Sequence, residues 1–437
     1  MNKYISFGIV VVLALVVAVA CGGAAPATAP TTAPSTNPTS AVTAPTTAAP
    51  TTGAPTTAAT SAAPSGTSAA PGATTGAPAA GGPAPTMKNP DTFVSVEYGE
   101  PESLDPSWDY ETAGSEVLQQ VYEPLVFMKR DKVDEFVGLL AEKWTTSSDG
   151  KTWTFNIRKN VKFHNGDTLT ASDVAYSYLR GFIQSQASGP QWIMLQPFFG
   201  QSVSFGFMDP SVKPGDKTGD DVVNAQYNGD FAAACNAAKK LIVADDNAMT
   251  VTMTLKQPWG PFLASIAGPW GSIVDQKWAA GQGDWDGNCA DAQKFNNPQA
   301  EQSKLFDKEN GTGPYKLAAW DKGNQITLDS NDSYWVTTPL WDGGPTGAPK
   351  IKHVIIKIVN EWGTRFSMLQ TGDADWVQVD SNFYTQVDPL VKQDCDPVDS
   401  TKCTPGPGSS NGFLTRLKPL VGLQQDTVFF NQNVNAT

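Results

Sequence analysis

Histidine is nearly absent. Only His164 and His353 occur in 437 residues, and they stand in no His-x-x-x-His spacing. No Cys-x-x-Cys occurs either, so the common donor patterns of a zinc site are missing. There is no phosphate loop; "GTGPY" is glycine-rich but lacks the Lys-Ser/Thr pair that cradles phosphate, and it reads as a turn. Long apolar runs are lacking too. Ile5 to Ala20 is 16 residues, interrupted by Ser6 and Gly8, against ~20 for a bilayer span. These gaps weigh against metal chemistry, nucleotide hydrolysis and a membrane-spanning body.

The second shortage is local. From Gly22 to Thr86 no residue is charged and none is aromatic. Ala, Thr, Pro, Ser and Gly in loose "APTTAAP" units cannot build a core, so the stretch reads as a disordered tether. Its prolines favour extended conformations, with a contour of about 200 Å at 3.1 Å per residue. Ahead of it, Lys3, the apolar run and small residues have the layout of a secretion signal; a membrane helix is the alternative. The ending "AVAC" resembles a bacterial lipobox, with Ala18 where Leu is commonest. That implies a lipidated Cys21 at the mature N-terminus, with cleavage near Ala20 as the alternative. The expected division is 1–21 lipoprotein signal, 22–90 linker and 91–437 folded body.

Apart from Lys3 and Lys88, every charge falls in that body, and 43 acidic against 30 basic residues leave the chain at −13. Nucleic acid and anionic membrane are disfavoured as partners, while cationic or neutral small ligands fit. Beyond Cys21 four cysteines remain, an even count that suggests disulfides in an exported protein. Cys395 and Cys403 flank one short loop, which leaves Cys235 for Cys289.

Some 350 residues are too many for one small core, so two or more lobes are expected. Val94, Val96 and Tyr98 alternate as a half-buried strand. "TAGSEVLQQVYEPL" has helical spacing and stops at Pro124. "KTWTFNIR", after the Asp149-Gly150 turn, puts Trp153, Phe155 and Ile157 on one face. "VKFHNGD" reads as a further strand and turn. Thr170 and Asp173 stand in capping-box register for a helix carrying Val174, Tyr178 and Phe182. "DPSVKPGDKTGDD" is loop, "FAAACNAAKKLI" helix and "AMTVTMTL" strand. "GTGPYKLAAWDKGNQITLDS" gives two strands about Lys322-Gly323. "IKHVIIKIV" reads as a central strand buried on both faces. "EWGTRFSMLQTGDADWVQV" gives a helix with Trp362, Phe366 and Leu369 on one face, capped by Gly372, then a strand. Alternating helices and strands make the body α/β with mixed sheets.

Reactive groups do not converge. His164 is the best single acid–base candidate, yet its place between a strand and a turn favours a packing role. His353 sits in a strand. The pairs Asp245-Asp246, Asp284/Asp286 and Asp373/Asp375 look like solvated loop charges. The excess is aromatic: thirteen tryptophans, whose faces suit peptides and sugars.

"ESLDP", "QQVYEPLV", "LAEKW", "SSDGKTWTFNIRKNVKFHNGDTLTASDVAYSYLR", "GTGPYKL", "SYW" and "LQTGDADW" occur in that order. Together, over about Thr92 to Asn431, they closely resemble the family 5 extracellular solute-binding proteins, the peptide-, nickel- and oligosaccharide-type receptors of ABC importers. The resemblance implies a type II periplasmic-binding-protein-like fold and capture between two closing lobes rather than turnover. It implies peptide as the default ligand, oligosaccharide second, ABC permeases as partners, a monomer and no cofactor or metal. It places the protein at the outer face of the cytoplasmic membrane.

In similar proteins the loop after "LDPSWDY" lies at the cleft, so Thr112, Gly114 and Ser115 are ligand candidates. Trp270 and Trp376 are aromatic candidates. Similar chains cross to a second lobe at a strand like "TVFFN", close to where this sequence stops. The expectation is therefore a first lobe of two subdomains without the second lobe, exposing apolar surface meant for the cleft. An exported hydrolase using paired carboxylates, or an adhesion or sensor protein, is the rival reading.

Overall fold

A computed structural model of the chain describes residues 89–129, 132–185, 189–200, 204–206, 221–397, 399 and 401–417. The expected signal, Cys21, nearly all of the tether, most of "DPSVKPGDKTGDD" and the "TVFFN" strand lie outside these residues. Among the described residues no helix is long and apolar enough to cross a membrane.

A five-stranded mixed sheet runs in the order Trp376–Val377, Thr92–Glu97, His353–Ile358, Gln325–Ser330, Tyr315–Asp321. The first three strands are parallel, and the last two pair antiparallel. The crossover from His353–Ile358 to Trp376–Val377 is helix Trp362–Thr371, closed by Gly372 at φ 70°. Glycine adopts that left-handed cap without a Cβ clash. A four-stranded antiparallel sheet follows the order Ala141–Thr146, Thr152–Ile157, Thr250–Thr254, Ile242–Asp245. Smaller sheets pair Val126–Met128 with Phe136–Gly138, and Val391–Cys395 with Cys403–Pro405 and Leu414–Leu417.

Helix Ala171–Gln184 organises the larger core. Thr170 Oγ1 accepts from Asp173 N at 3.1 Å while Asp173 Oδ2 accepts from Thr170 N at 2.8 Å. That reciprocal cap fixes the start of the helix. Every residue of the helix except Ser172 is buried. It packs on strands Ile242–Asp245 and Thr250–Thr254 and on helices Gln191–Phe199, Phe231–Leu241 and Gln276–Gly281. A smaller core gathers Val96, Ala374 and Val377, with Trp362, Met368 and Leu369 packed against it.

Three local expectations change. Tyr98 lies beyond its strand and is exposed, whereas Ser95, Val96 and Glu97 are all buried. Neighbouring strands and helices cover both faces there, so alternation fails. "VKFHNGD" forms no strand; Lys162 and Thr168 make one isolated bridge about the turn. His353–Ile358 is the central strand, but only Ile356 is buried. His353, Ile355 and Lys357 share a face, and two polar side chains in three keep that face half open.

Disulfides join Cys235 to Cys289 and Cys395 to Cys403, the pairs suggested by spacing. The first ties helix Phe231–Leu241 to the loop ahead of Ala292–Phe295. The second bridges register partners on adjacent strands.

Candidate functional site

Strand Thr92–Glu97 delivers the chain to a tight loop, Pro101–Tyr110, and then to helix Thr112–Val121. In an open sheet the carboxyl ends of parallel strands are where ligands gather, so this loop and helix start lie in a favoured place. The loop is held from behind. Asp105 accepts Ser107 N at 2.9 Å and two bonds from Arg180, and Leu104 N donates to Phe306 O at 2.8 Å.

Glu111 caps the helix. Its carboxylate accepts from Ala113 N at 2.6 Å and Gly114 N at 2.8 Å. Asp109 lies beside it, buried, and accepts from Ser115 Oγ at 3.0 Å. Gly114 has no room for a side chain, because a Cβ there would stand 1.9 Å from Asp109 Oδ1 and 2.6 Å from Glu111 Oε1. Thr112 is exposed at the first helical position.

The electrostatics are unusual. Burial, then the adjoining Glu111 carboxyl, push Asp109 up to about 9. It therefore keeps its proton at neutral pH. Glu116, on the same helix, is pushed up to about 7 by burial and by the Glu97 charge. Glu97 is itself raised by burial, partly offset by Ser95 and Arg365.

Trp270 approaches from the single helical turn Pro269–Gly271. Its Nε1 donates to Ser265 O at 2.7 Å, and its ring meets Tyr110 edge-on at 5.9 Å. Thr112, Gly114, Ser115 and Trp270 thus belong to one neighbourhood, joined through Asp109 and Tyr110. Trp376 does not join it. It sits half-exposed on the edge strand opposite Ser95, with no ring contact or hydrogen bond to the group among the described residues. The reading from spacing passed over Asp109, Glu111, Glu116 and Tyr110. The signal was present as a high density of acids in "ESLDPSWDYETAGSE", but nothing local tells a buried acid from a solvated one.

His164 serves packing. Its Nδ1 lies 2.7 Å from Glu309 Oε2 and its Nε2 3.0 Å from Gly313 O. It pins the "GTGPY" loop, in which a Cβ on Gly311 would come within 1.9 Å of Val121 O. Those glycines serve close backbone approach. His353 pairs with Asp329 at the surface, 2.7 Å away. Among the described residues no three His, Cys, Asp or Glu side chains are grouped to hold a metal.

Residues 135–415 match the family described as bacterial extracellular solute-binding proteins, family 5 Middle. The dipeptide-binding protein DppE of Bacillus subtilis is 28% identical over 296 residues, 68% of this chain and 44% of that protein. The oligopeptide-binding protein OppA of Bacillus subtilis is 26% identical over 300 residues, again 68% and 44%. This chain spans under half the length of these relatives. A solved Bacillus anthracis oligopeptide ABC transporter substrate-binding domain superposes with a TM-score of 0.49 at 20% identity, over 69% of this chain and 48% of that one. With the match running through both larger sheets and the central helix, the chain belongs to the bacterial extracellular solute-binding proteins, family 5.

Proposed function

We propose that residues 91–437 form the ligand-binding first lobe of a receptor that captures peptides for an ABC importer. The observation that carries this reading is the family match across residues 135–415. Relatives described as dipeptide- and oligopeptide-binding support peptide over oligosaccharide. The receptor acts outside the cytoplasm and hands its ligand to permease subunits. Lipid-modified Cys21 anchors it, and residues 22–90 tether the body to that anchor. The wall offered to the ligand is the start of helix Thr112–Val121, with Thr112, Ser115 and the Tyr110–Trp270 pair. Carboxyl-rich surroundings favour ligands with a cationic end.

The test is native mass spectrometry of the full chain with a pool of di- to tetrapeptides and, separately, oligosaccharides. Saturable retention of intact peptide, weakened at least tenfold by Gly114→Val, is the expected result. Release of cleaved product, or retention of oligosaccharide alone, overturns the peptide-receptor reading.

A further inference from the structure

A second concave site, sharing no lining residue with the helix start, lies just beyond the end of strand Thr152–Ile157. The chain leaves that strand through Arg158 and Lys159 and turns left-handed at Asn160, φ 65°. Arg158, Lys159 and Lys162 then all line one groove of about 290 Å³, closed opposite by Ser333, Trp335 and Thr337.

Three cations in one groove are unexpected on a chain of net charge −13. Elsewhere in the body several cations find carboxylates, among them Lys277, Lys352 and Arg416. Here, among the described residues, none of the three makes an ion pair. Lys162 Nζ donates to a hydroxyl, that of Thr168. Among the described residues Glu142 is the groove's single lining carboxylate, and it is exposed.

Arg158 is also positioned in advance. Its Nε donates to Leu139 O at 2.5 Å, its Nη2 reaches Gly138 O at 3.4 Å, and its guanidinium lies over Trp335, 5.2 Å from the ring centroid. Trp335 is fixed in turn, because its Nε1 donates to buried Glu123 at 2.7 Å. Nη1 has no hydrogen-bond partner among the described residues. A stacked guanidinium held by carbonyls loses little freedom on meeting a planar or tetrahedral oxyanion.

We propose that this groove binds a phosphate-monoester or phosphodiester group. Three positive charges with hydroxyl donors from Ser333, Thr337 and Thr338 match a phosphate better than a carboxylate. The groove is larger than a bare ion, so the phosphate is expected on a small polar body, either a soluble ester or a lipid headgroup. The inference does not rest on the peptide reading and uses none of that site's residues.

The test compares the full chain with its Lys159→Glu/Lys162→Glu variant, both positions being exposed and outside the core. Calorimetry uses glycerol phosphate, with acetate at equal ionic strength as the competing anion. Co-sedimentation uses phosphatidylglycerol-containing vesicles against pure phosphatidylcholine. Glycerol phosphate binding that falls at least tenfold in the variant supports the site and assigns a soluble ester. The same fall seen only with phosphatidylglycerol vesicles supports it and assigns a headgroup. Equal binding of acetate, binding unchanged by the double substitution, or no binding to either probe overturns it. Lys308→Glu, a charge reversal outside the groove's lining, is expected to leave binding intact; an equal loss there overturns the site as well.

Discussion

Arg180 donates to both oxygens of Asp105, at 2.7 and 2.6 Å, and both side chains are wholly buried. The same guanidinium donates to Asp284 Oδ2 at 2.9 and 2.7 Å and to Ser107 Oγ at 2.7 Å. One cation on the central helix thus holds the loop that precedes the candidate ligand site and the loop at Asp284. Burial opposes ionisation of Asp105, but the charge and hydrogen bonds of Arg180 outweigh it and hold the carboxyl below its ordinary range.

Removing that cation strands two buried carboxylates. Arg180→Met is expected to cost about 3–5 kcal/mol, read from denaturant unfolding. Arg180→Lys is expected to recover only part of this, because an ammonium cannot serve the forked geometry. A loss under about 1 kcal/mol for the methionine variant would show the network to be dispensable. Since Asp105 is depressed in the fold, its contribution is complete above its unfolded value and fades as pH falls through the lower folded one.

Gly114 is a steric requirement of the helix start. Gly114→Val forces a side chain into the space of Asp109 and Glu111. Overpacking of this kind costs about 1–3 kcal/mol. Ligand affinity is expected to drop more than stability, seen as a fall in binding at temperatures where the variant remains folded by circular dichroism.

Asp109 and Glu116 give the opposite pH dependence to Asp105. Their folded values, about 9 and about 7, stand above the ordinary carboxylate range. The fold therefore holds protons that the unfolded chain releases, and stability falls as pH rises from about 4 towards about 9. Asp109→Asn fixes the neutral form. Between pH 5 and 8 the variant is expected to gain roughly 1–3 kcal/mol on the wild type. Parallel pH profiles for the two chains would refute the raised Asp109 value.

The Cys235–Cys289 bond closes a separation of 54 residues with both sulfurs in the interior. The chain-entropy model gives about 4 kcal/mol for a loop of that size. The double alanine variant is expected to lose about 2–4 kcal/mol, and mild reductant to act only under conditions that unfold the chain. Rapid reduction of this bond in the native protein would contradict its buried position.

Much of the fold was legible where the cause is local. The Thr170/Asp173 box, the turn at Gly150 and the cap at Gly372 each follow from chemistry within a few residues. The strand at His353–Ile358 was legible as a strand but not in its burial, since what covers a face is set by distant segments. The candidate site was half legible: Thr112, Gly114, Ser115 and Trp270 meet, but the carboxyls that give the place its character were hidden among ordinary acids.

The sequence alone marked many of the helices and strands, their order and the acidic, aromatic-rich character of the body. Caps, turns and periodicity act over one or two turns of chain, so the residues that cause them are neighbours in the text. Only the tertiary structure decided that Arg180 meets Asp105 and Asp284, 75 and 104 positions away, and that Arg158 rests on Trp335. With 43 acids and 30 bases to choose from, no spacing names the partner. The choice is made by which loops the packed helix and sheets bring together, and by the cost of leaving any buried charge without an answer.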